Sequence, residues 1–215
     1  MRYMSFIKKR IYIFVNEKLL KLYTKVSNKF FFTFFYCTDQ KLDEENQRGW
    51  LLPDFSTTDE EINIFKYVRK VSSNEDLLSV LHIGIGNSDL DNYIDSIHRI
   101  DGLSLSMDEI NSSKYNGEVK FLNKYNPNEL SNFLKNKRYN CIIDNNLFSY
   151  ACCYFHALRY FEILNLYIKE SNCRLITSHK GLSYSPLNVH IKLDDLKKIL
   201  TIDCNEETGV IKISG

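Results

Sequence analysis

Several common signals of function are missing from this sequence. None of its six cysteines forms a Cys-x-x-Cys pair with the spacing of zinc ligands, so the sequence predicts no zinc site. Most of the cysteines stand beside apolar or aromatic residues, which is typical of reduced, buried thiols in a cytosolic protein. We therefore expect a cytoplasmic protein with no metal ion and no disulfide framework.

The sequence also lacks an excess of charge of either sign. Its formal net charge is +1, so the chain as a whole is not drawn to nucleic acid or to acidic substrates. The asymmetry is local, because residues 1–37 carry eight basic side chains and a single acidic one. Apolar residues recur at helical spacing over residues 5–36, which suits a basic amphipathic helix on an anionic membrane or, alternatively, a helix that packs on the domain.

No apolar run is long enough to span a membrane. The most apolar stretch, KFFFTFFYC at residues 29–37, is far shorter than the roughly 20 residues that a bilayer requires. Peripheral contact through residues 1–37 is the membrane association that the sequence suggests. Nucleic acid is not an expected partner, since the chain has no second basic stripe with interleaved aromatic residues.

From residue 77 onward, apolar strands alternate with helical segments. The strands are expected at LLSVLHIG, HRIDGLSLS, EVKFL, YNCIIDNN and CRLITSH, and Ser106 and Asn126 are expected to cap two of the helices between them. Such alternation predicts parallel strands with helices on both faces of the sheet. The last two strands, LTIDC and GVIKIS, are too close in sequence for a crossover and must be antiparallel.

These patterns predict an α/β, Rossmann-like fold with a mostly parallel seven-stranded sheet over residues 77–215 and an antiparallel last strand. Residues 1–76 are expected to form a helical extension or lid. Within that segment, Thr58 and Glu61 predict a capping box at the start of a helix, and residues 193–200 are expected to form the last helix of the chain.

The first strand ends in a turn that contains Gly84 and Gly86. A dinucleotide fingerprint would have a third glycine at position 89, where this sequence has Asp89. A diphosphate binds the amides at the start of the following helix, expected at DLDNYIDSI, so Asp89 would repel it, whereas a cofactor without phosphate escapes this repulsion. Asn87, Ser88 and Asp89 can cap that helix. The alternative is a tight strand-to-helix turn with no ligand.

Taken in order, these motifs resemble those of the class I S-adenosylmethionine-dependent methyltransferases. The resemblance rests on VLHIGIGNS, IDGLSLSMDEI, YNCIIDNNLFSY, YFHALRYFEIL followed by CRLITSHKGL, and the terminal antiparallel strand, and it covers about residues 77–215. It implies a Rossmann-like methyltransferase fold, S-adenosylmethionine as the cofactor and methyl transfer as the reaction. It does not identify a subfamily.

The resemblance also implies which residues hold the cofactor. The positions that correspond to the cofactor-binding positions of the family are His82, Gly84, Gly86, Asn87, Ser104 and Asp144. Two of them depart from the family pattern, because His82 stands where an acid usually holds the amino group, and Ser104 stands where an acid usually accepts both ribose hydroxyls. Serine lacks the charge that strengthens such hydrogen bonds. Asp101, three residues earlier, would point to the opposite face of its strand.

Two side chains are candidates for handling a methyl acceptor. Asp144, after the fourth strand, is a possible general base or an orienting hydrogen-bond acceptor, or it caps a helix. His179, at the end of the fifth strand, has a side chain whose ordinary pKa suits a base, or it is structural. We expect methyl transfer to a small-molecule or sugar-like acceptor. The alternative is a non-catalytic methyltransferase-like binding module that associates with a membrane surface through residues 1–37.

Overall fold

A computed structural model describes residues 57–72, 78–93, 97–147, 154–178, 181, 201–205 and 208–214. The α-helices within these ranges are α1 (Asp59–Ser72), α2 (Met107–Ser112), α3 (Pro127–Leu134) and α4 (Tyr154–Ser171). The strands are β1 (Leu78–Ile83), β2 (Ile97–Ser104), β3 (Val119–Phe121), β4 (Cys141–Asp144), β5 (Arg174–Ser178), β6 (Thr201–Asn205) and β7 (Val210–Ser214).

The strands form one sheet in the order β3-β2-β1-β4-β5-β7-β6. Strands β1 to β5 pair in parallel, and β7 is antiparallel to both of its neighbours, β5 and β6. The predicted mostly parallel sheet with an antiparallel last strand is therefore confirmed. Strand order reverses between β1 and β4, and at such a point the carboxyl ends of parallel strands border a crevice in which ligands collect.

Helices cover both faces of the sheet, as the apolar strands require. One buried cluster joins α3 and α4 to side chains such as Leu81 and Ile142, and the other joins α1 to side chains such as Val80 and Ile143. Alternate residues of β1 and β4 thus enter different clusters, because successive side chains of a strand point to opposite faces. This two-sided burial explains why these strands are apolar runs without polar alternation.

The starts predicted for α1, α2 and α3 are confirmed. The Oγ1 atom of Thr58 accepts a hydrogen bond from the Glu61 N–H group at 3.3 Å, and Glu61 Oε2 accepts one from the Thr58 N–H group at 3.0 Å. Ser106 and Asn126 cap α2 and α3 through their side chains. These reciprocal bonds satisfy amide groups that the first turn of a helix leaves without an intrahelical acceptor.

The helix predicted after the glycine turn is wrong in type and length. Residues Asp89–Asn92 form one turn of 3₁₀ helix, and Ser88 precedes it in the left-handed region at φ 59° with no side-chain cap. The hydroxyl of Ser88 instead donates to Ser113 Oγ at 3.2 Å, and the Thr57 hydroxyl donates to the Asp89 carboxylate. These tertiary contacts take the side chains that the sequence assigned to helix capping.

Some predicted elements lie outside the described residues. These are the basic helix over residues 5–36 and the last helix at residues 193–200. Among the helices that the structure does describe, none is long and apolar enough to cross a lipid bilayer.

Candidate functional site

Three of the predicted site residues, Gly84, Ser104 and Asp144, come together at one edge of the sheet. Ile83 is paired with Asp144 across β1 and β4, and the Gly84 N–H group donates to the Leu103 carbonyl at 2.8 Å, next to Ser104. The glycine turn therefore lies between the ends of β2 and β4. This is the crevice that the reversal of strand order creates.

The backbone of the glycine turn is open above Gly86. Gly84 and Gly86 have φ angles of 75° and 51°, a left-handed conformation that glycine adopts without steric strain. Among the described residues, a Cβ atom built on Gly86 would meet no neighbouring atom within 4 Å, whereas one on Gly84 would lie 3.6 Å from Asn146 Nδ2. Asn87 is half-buried in the same turn. The turn thus leaves room for a ligand that lies against its backbone.

His82 is held by two aromatic side chains. Its Nδ1 atom is 2.6 Å from the hydroxyl of Tyr115, and its ring meets that of Phe65 edge to face, with 5.8 Å between the centroids. Burial lowers the pKa of His82 to about 4, so the imidazole is neutral near pH 7. Through these two contacts, His82 stabilises β1, the strand that leads into the turn.

Ser104 shares the end of β2 with the carboxylate of Glu109, which the sequence places at a helix start but not in the cofactor site. The Ser104 hydroxyl donates to Glu109 Oε2 at 2.5 Å and accepts from the Ser106 N–H group at 2.9 Å. Ser104 and Glu109 are only 5% and 4% exposed. Helix α2 therefore brings an acid to the strand end where the resemblance expected one in the strand itself.

Asp101 belongs to a different network, as its position in β2 predicted. It accepts hydrogen bonds from Arg99, Lys137 and the hydroxyl of Tyr139 at 2.7, 2.9 and 2.6 Å. Burial by itself raises the pKa of Asp101, but these donors outweigh it and lower the pKa to about 2. Asp101 thus ties β2 to the segment before β4 and does not replace an acid at position 104.

Asp144 is fully buried in a cluster with Lys124 and two tyrosines. Lys124 Nζ lies 2.8 and 3.1 Å from its two oxygens, the Tyr160 hydroxyl donates at 2.7 Å, and the Asn146 N–H group donates at 2.9 Å. The ammonium of Lys124 also lies 5.2 and 5.3 Å from the ring centroids of Tyr125 and Tyr160. Burial lowers the pKa of Lys124, and the Asp144 charge opposes that shift.

This cluster fixes the turn that follows β4. Lys124 donates to the Asn146 carbonyl as well as to Asp144, so one ammonium holds the strand end and the turn together. Each oxygen of Asp144 accepts two hydrogen bonds. Asp144 thus orients the turn after β4, which is a different role from the general base, the acceptor-orienting group or the helix cap that the sequence left open for it. His179 lies outside the described residues.

A residue of β5 also holds the turn after β4 by a hydrogen bond. The Ser178 hydroxyl donates to Asn145 Oδ1 at 2.5 Å and accepts from the Gly181 N–H group at 3.1 Å. A Cβ atom on Gly181 would lie 2.6 Å from the Asn145 carbonyl oxygen, so Gly181 packs closely against the backbone of the turn after β4. In the described part of the chain, no group of three His, Cys, Asp or Glu side chains is arranged to hold a metal ion.

The similarity of this chain to known proteins lies in solved structures. No family model and no curated protein matches the sequence. Magnesium protoporphyrin IX methyltransferase from Synechocystis PCC 6803, solved with bound S-adenosylmethionine, is similar with a TM-score of 0.51 and 13% identity, over 73% of this chain and 79% of that one.

Two further structures are similar with a TM-score of 0.47. The methyltransferase MycE of mycinamycin biosynthesis, in complex with Mg, S-adenosylhomocysteine and mycinamycin VI, is 12% identical over 69% of this chain. This chain spans about half of its length, 47%. The N-methyltransferase NodS from Bradyrhizobium japonicum WM9 is 8% identical, over 74% of this chain and 97% of that one. At such identities the likeness is one of fold, and the methyltransferase fold predicted from the sequence is confirmed by the Synechocystis structure.

Proposed function

We propose that this chain, which has the fold of the class I S-adenosylmethionine-dependent methyltransferases, binds S-adenosylmethionine and transfers its methyl group to a small-molecule or sugar-like acceptor. The observation that carries the proposal is the open backbone above Gly86 at the reversal of strand order. When bound, the cofactor supplies an electrophilic methyl carbon on a sulfonium. Because it carries no phosphate, it also tolerates the Asp89 carboxylate beside the turn.

The residues at the crevice fit such a cofactor at most positions. We assign the backbone of Gly84 and Gly86 to the methionine part of the cofactor and Asn87 to a further contact in the same turn. We assign Ser104, whose hydroxyl donates to Glu109, to the ribose. His82 supplies no negative charge for the amino group, because its ring is neutral and bonded to a tyrosine hydroxyl. We therefore assign His82, like Asp144, the role of holding the backbone that carries the cofactor.

Acceptor handling follows from what a methyl transfer requires. The reaction needs an acceptor atom aligned with the methyl carbon and, for a hydroxyl acceptor, removal of a proton. We assign alignment to the turn that Asp144 and Lys124 fix, since Asn146 of that turn stands beside Gly84. His179 stays our candidate for the base. Few residues separate β6 from β7, so no large insertion at that point builds a site for a macromolecular acceptor.

A non-catalytic binding module is the second candidate function. It is favoured by the two oxygens of Asp144, which are both engaged by protein donors, and by the neutral His82. A module of this kind would bind the cofactor without consuming it. Mass spectrometry of acceptor mixtures incubated with S-adenosylmethionine and the full chain separates the two, because a methyltransferase releases S-adenosylhomocysteine and a binding module does not.

Calorimetric titration with S-adenosylmethionine and S-adenosylhomocysteine tests cofactor binding directly. We expect the full chain to bind both ligands and Gly86→Ala to weaken binding by about tenfold or more, which corresponds to about 1.4 kcal/mol. The added methyl group would occupy the open space above the turn. Absence of heat and of any thermal shift with the full chain, at millimolar ligand, would refute the proposal.

Gly209→Ala is a matched control for this substitution. Gly209 has a φ angle of 67°, and a Cβ atom there would also meet nothing within 4 Å in the part of the chain that the structure describes, so both variants introduce the same kind of backbone strain. Gly209 precedes β7, which lies three positions from β1 in the sheet, or about 14 Å at about 4.8 Å per strand. We expect Gly209→Ala to bind as tightly as the unaltered chain.

A further inference from the structure

We propose that Gly102 of β2 is a positioning residue for the cofactor, because its lack of a side chain leaves the space in which the side chain of Ile85 packs. Ile85 is the middle residue of the glycine turn, so this contact sets where the backbone of Gly84 and Gly86 lies above the sheet. The inference rests on the proposed function, since it concerns the turn that would carry the cofactor. Gly102 acts through Ile85 and does not touch the ligand itself.

Ile85 anchors the glycine turn in the core. Its side chain is 2% exposed and belongs to the buried cluster that includes Phe65 and Tyr115. The Ile85 carbonyl accepts a hydrogen bond from the Ser88 N–H group at 2.8 Å, so the end of the turn is tied to the same residue. The backbone of the turn thus borders the crevice, while the Ile85 side chain extends into the core below it.

Gly102 is in close contact with this anchor. A Cβ atom at position 102 would lie 2.7 Å from Ile85 Cγ2, 3.3 Å from Tyr115 Cδ2 and 3.4 Å from Val119 Cγ1. Non-bonded carbon atoms pack at about 3.5–4.0 Å, so the first of these distances could not be kept. Gly102 is not among the described glycines with a positive φ angle, so its position requires glycine for space rather than for its backbone conformation.

Neighbouring strands on both sides hold Gly102 in the sheet. It is paired with His82 of β1 and Val119 of β3, and its N–H group donates to the Glu118 carbonyl at 2.9 Å. Ile85 is β-branched, which restricts its χ1 rotation, but it stands between two glycines, whose backbone is the most adaptable of any residue. A methyl group added at position 102 is therefore expected to displace Ile85 and the glycine turn rather than β2.

The expected displacement is large enough to affect a bound ligand. Separating the new methyl group from Cγ2 of Ile85 to a normal contact requires a shift of about 1 Å. A misplacement of about 1 Å can reduce a rate by about a hundredfold when it disturbs the alignment of reacting atoms. The glycine turn borders the crevice between the ends of β2 and β4, so such a shift moves the backbone that the cofactor would lie against.

Calorimetry with S-adenosylhomocysteine on full-length variants tests the assignment. We expect Gly102→Ala to weaken binding by about tenfold or more. Val68→Ala is the matched control, because Val68 is as buried as Ile85 and belongs to the same cluster but lies beside Leu78 and Cys141, where β1 and β4 begin. It should lower stability and leave affinity unchanged. Equal affinity of Gly102→Ala and the unaltered chain would overturn the assignment.

A double-variant cycle with Ile85→Ala tests the route of the effect. Ile85→Ala removes the Cγ2 atom that the new methyl group would meet. In this background, Gly102→Ala should therefore change affinity by less than about threefold. If Gly102→Ala weakens binding equally with and without the Ile85 side chain, Gly102 does not act through Ile85 and the inference is wrong.

Amide hydrogen exchange of the chain without ligand gives a readout that needs no cofactor. The amides of Gly84 and Ser88 make the hydrogen bonds that hold the turn to β2 and close it. Relative to the amides of β4, both should exchange faster in Gly102→Ala than in Val68→Ala, because the turn and not the whole sheet is disturbed. Unchanged exchange at both amides would contradict the inference.

These experiments separate the inference from the proposed function. If the unaltered chain binds neither S-adenosylmethionine nor S-adenosylhomocysteine, the proposed function fails, and hydrogen exchange still shows whether Gly102 positions the turn. Tight binding that is insensitive to Gly102→Ala overturns the inference alone.

Discussion

Lys124 and Asp144 show how a buried charge is tolerated at the residue scale. Each is hardly exposed, and removing a charge from water is unfavourable unless a partner and further hydrogen bonds compensate. Here the partner is at 2.8 Å, and a tyrosine hydroxyl, a backbone amide and a carbonyl complete the set. The pair therefore depends on both members being present.

Removal of one member of this pair should be strongly destabilising. We expect Lys124→Met to reduce the free energy of unfolding by about 3–5 kcal/mol, because Asp144 is left as an uncompensated buried charge. The double variant Lys124→Met with Asp144→Leu should recover most of the loss. Urea unfolding at pH 7 measures both.

An exposed ion pair provides the control. Arg159 and Glu162 are about half exposed and lie 2.8 Å apart, so Arg159→Met should change stability by less than about 1 kcal/mol. If the double variant at Lys124 and Asp144 is as unstable as the sum of its single variants, the ion pair is not what couples these residues.

His82 should make stability depend on pH in a defined window. Its pKa is about 4 in the folded chain against an ordinary value of 6.5, so below pH 6.5 the unfolded chain binds a proton that the folded chain does not. Stability is therefore expected to fall by about 3 kcal/mol as pH decreases from 6.5 to 4. Unfolding in urea at pH 7 and pH 4.5 measures this loss.

The variant His82→Asn isolates this contribution. Asparagine does not titrate, so the difference in stability between the unaltered chain and the variant should shrink as the pH is lowered. Asp101, whose pKa is lowered from 3.8 to about 2, loses its contribution only as pH falls through that lower range. Parallel pH profiles for the two proteins would mean that His82 is not the group responsible.

At the scale of elements, α1 belongs to the core that it covers. Its side chains Ile64, Phe65 and Val68 are at most 2% exposed and pack with Val80 and Ile143 of the sheet. The boundary that we expect from the sequence, between an extension over residues 1–76 and a domain over residues 77–215, stays a proposal. Such a boundary would assign α1 to the extension, although α1 packs on the sheet.

Deletion of α1 should therefore be costly. Exposure of a buried apolar side chain loses about 1.5–3 kcal/mol, and the three of α1 together approach the 5–15 kcal/mol that holds a typical domain. We expect a chain starting at residue 57 to unfold cooperatively in urea and one starting at residue 77 to show no cooperative transition. A sharp transition in the shorter chain would contradict this.

Element starts were easier to predict than side-chain partners. The pattern Ser106-x-x-Glu109 predicts a cap, and the Glu109 N–H group does bond to Ser106 at 3.3 Å. In a full capping box the Glu109 carboxylate would also accept a hydrogen bond from the Ser106 amide. That amide instead donates to Ser104 Oγ, and the Glu109 carboxylate accepts from the Ser104 hydroxyl. The capping pattern thus predicts where α2 starts but not which group the Glu109 carboxylate bonds to.

At the scale of the whole molecule, strand order decides which distant residues meet. Gly84, Ser104 and Asp144 are up to 60 positions apart in sequence, and they share one edge because β2, β1 and β4 are neighbours and parallel. The antiparallel β7 closes the other side of β5. The crevice is thus a property of topology rather than of any single motif.

The sequence by itself determined the strands, the caps of α1, α2 and α3, the parallel sheet and the glycine turn, because apolar periodicity and backbone preferences are local. Only the tertiary structure decided which polar groups are paired: Lys124 with Asp144, Tyr115 with His82, and Glu109 with Ser104. The physical reason is burial. A polar side chain excluded from water must bond to whatever the fold places beside it, and that neighbour is set by packing across the sheet.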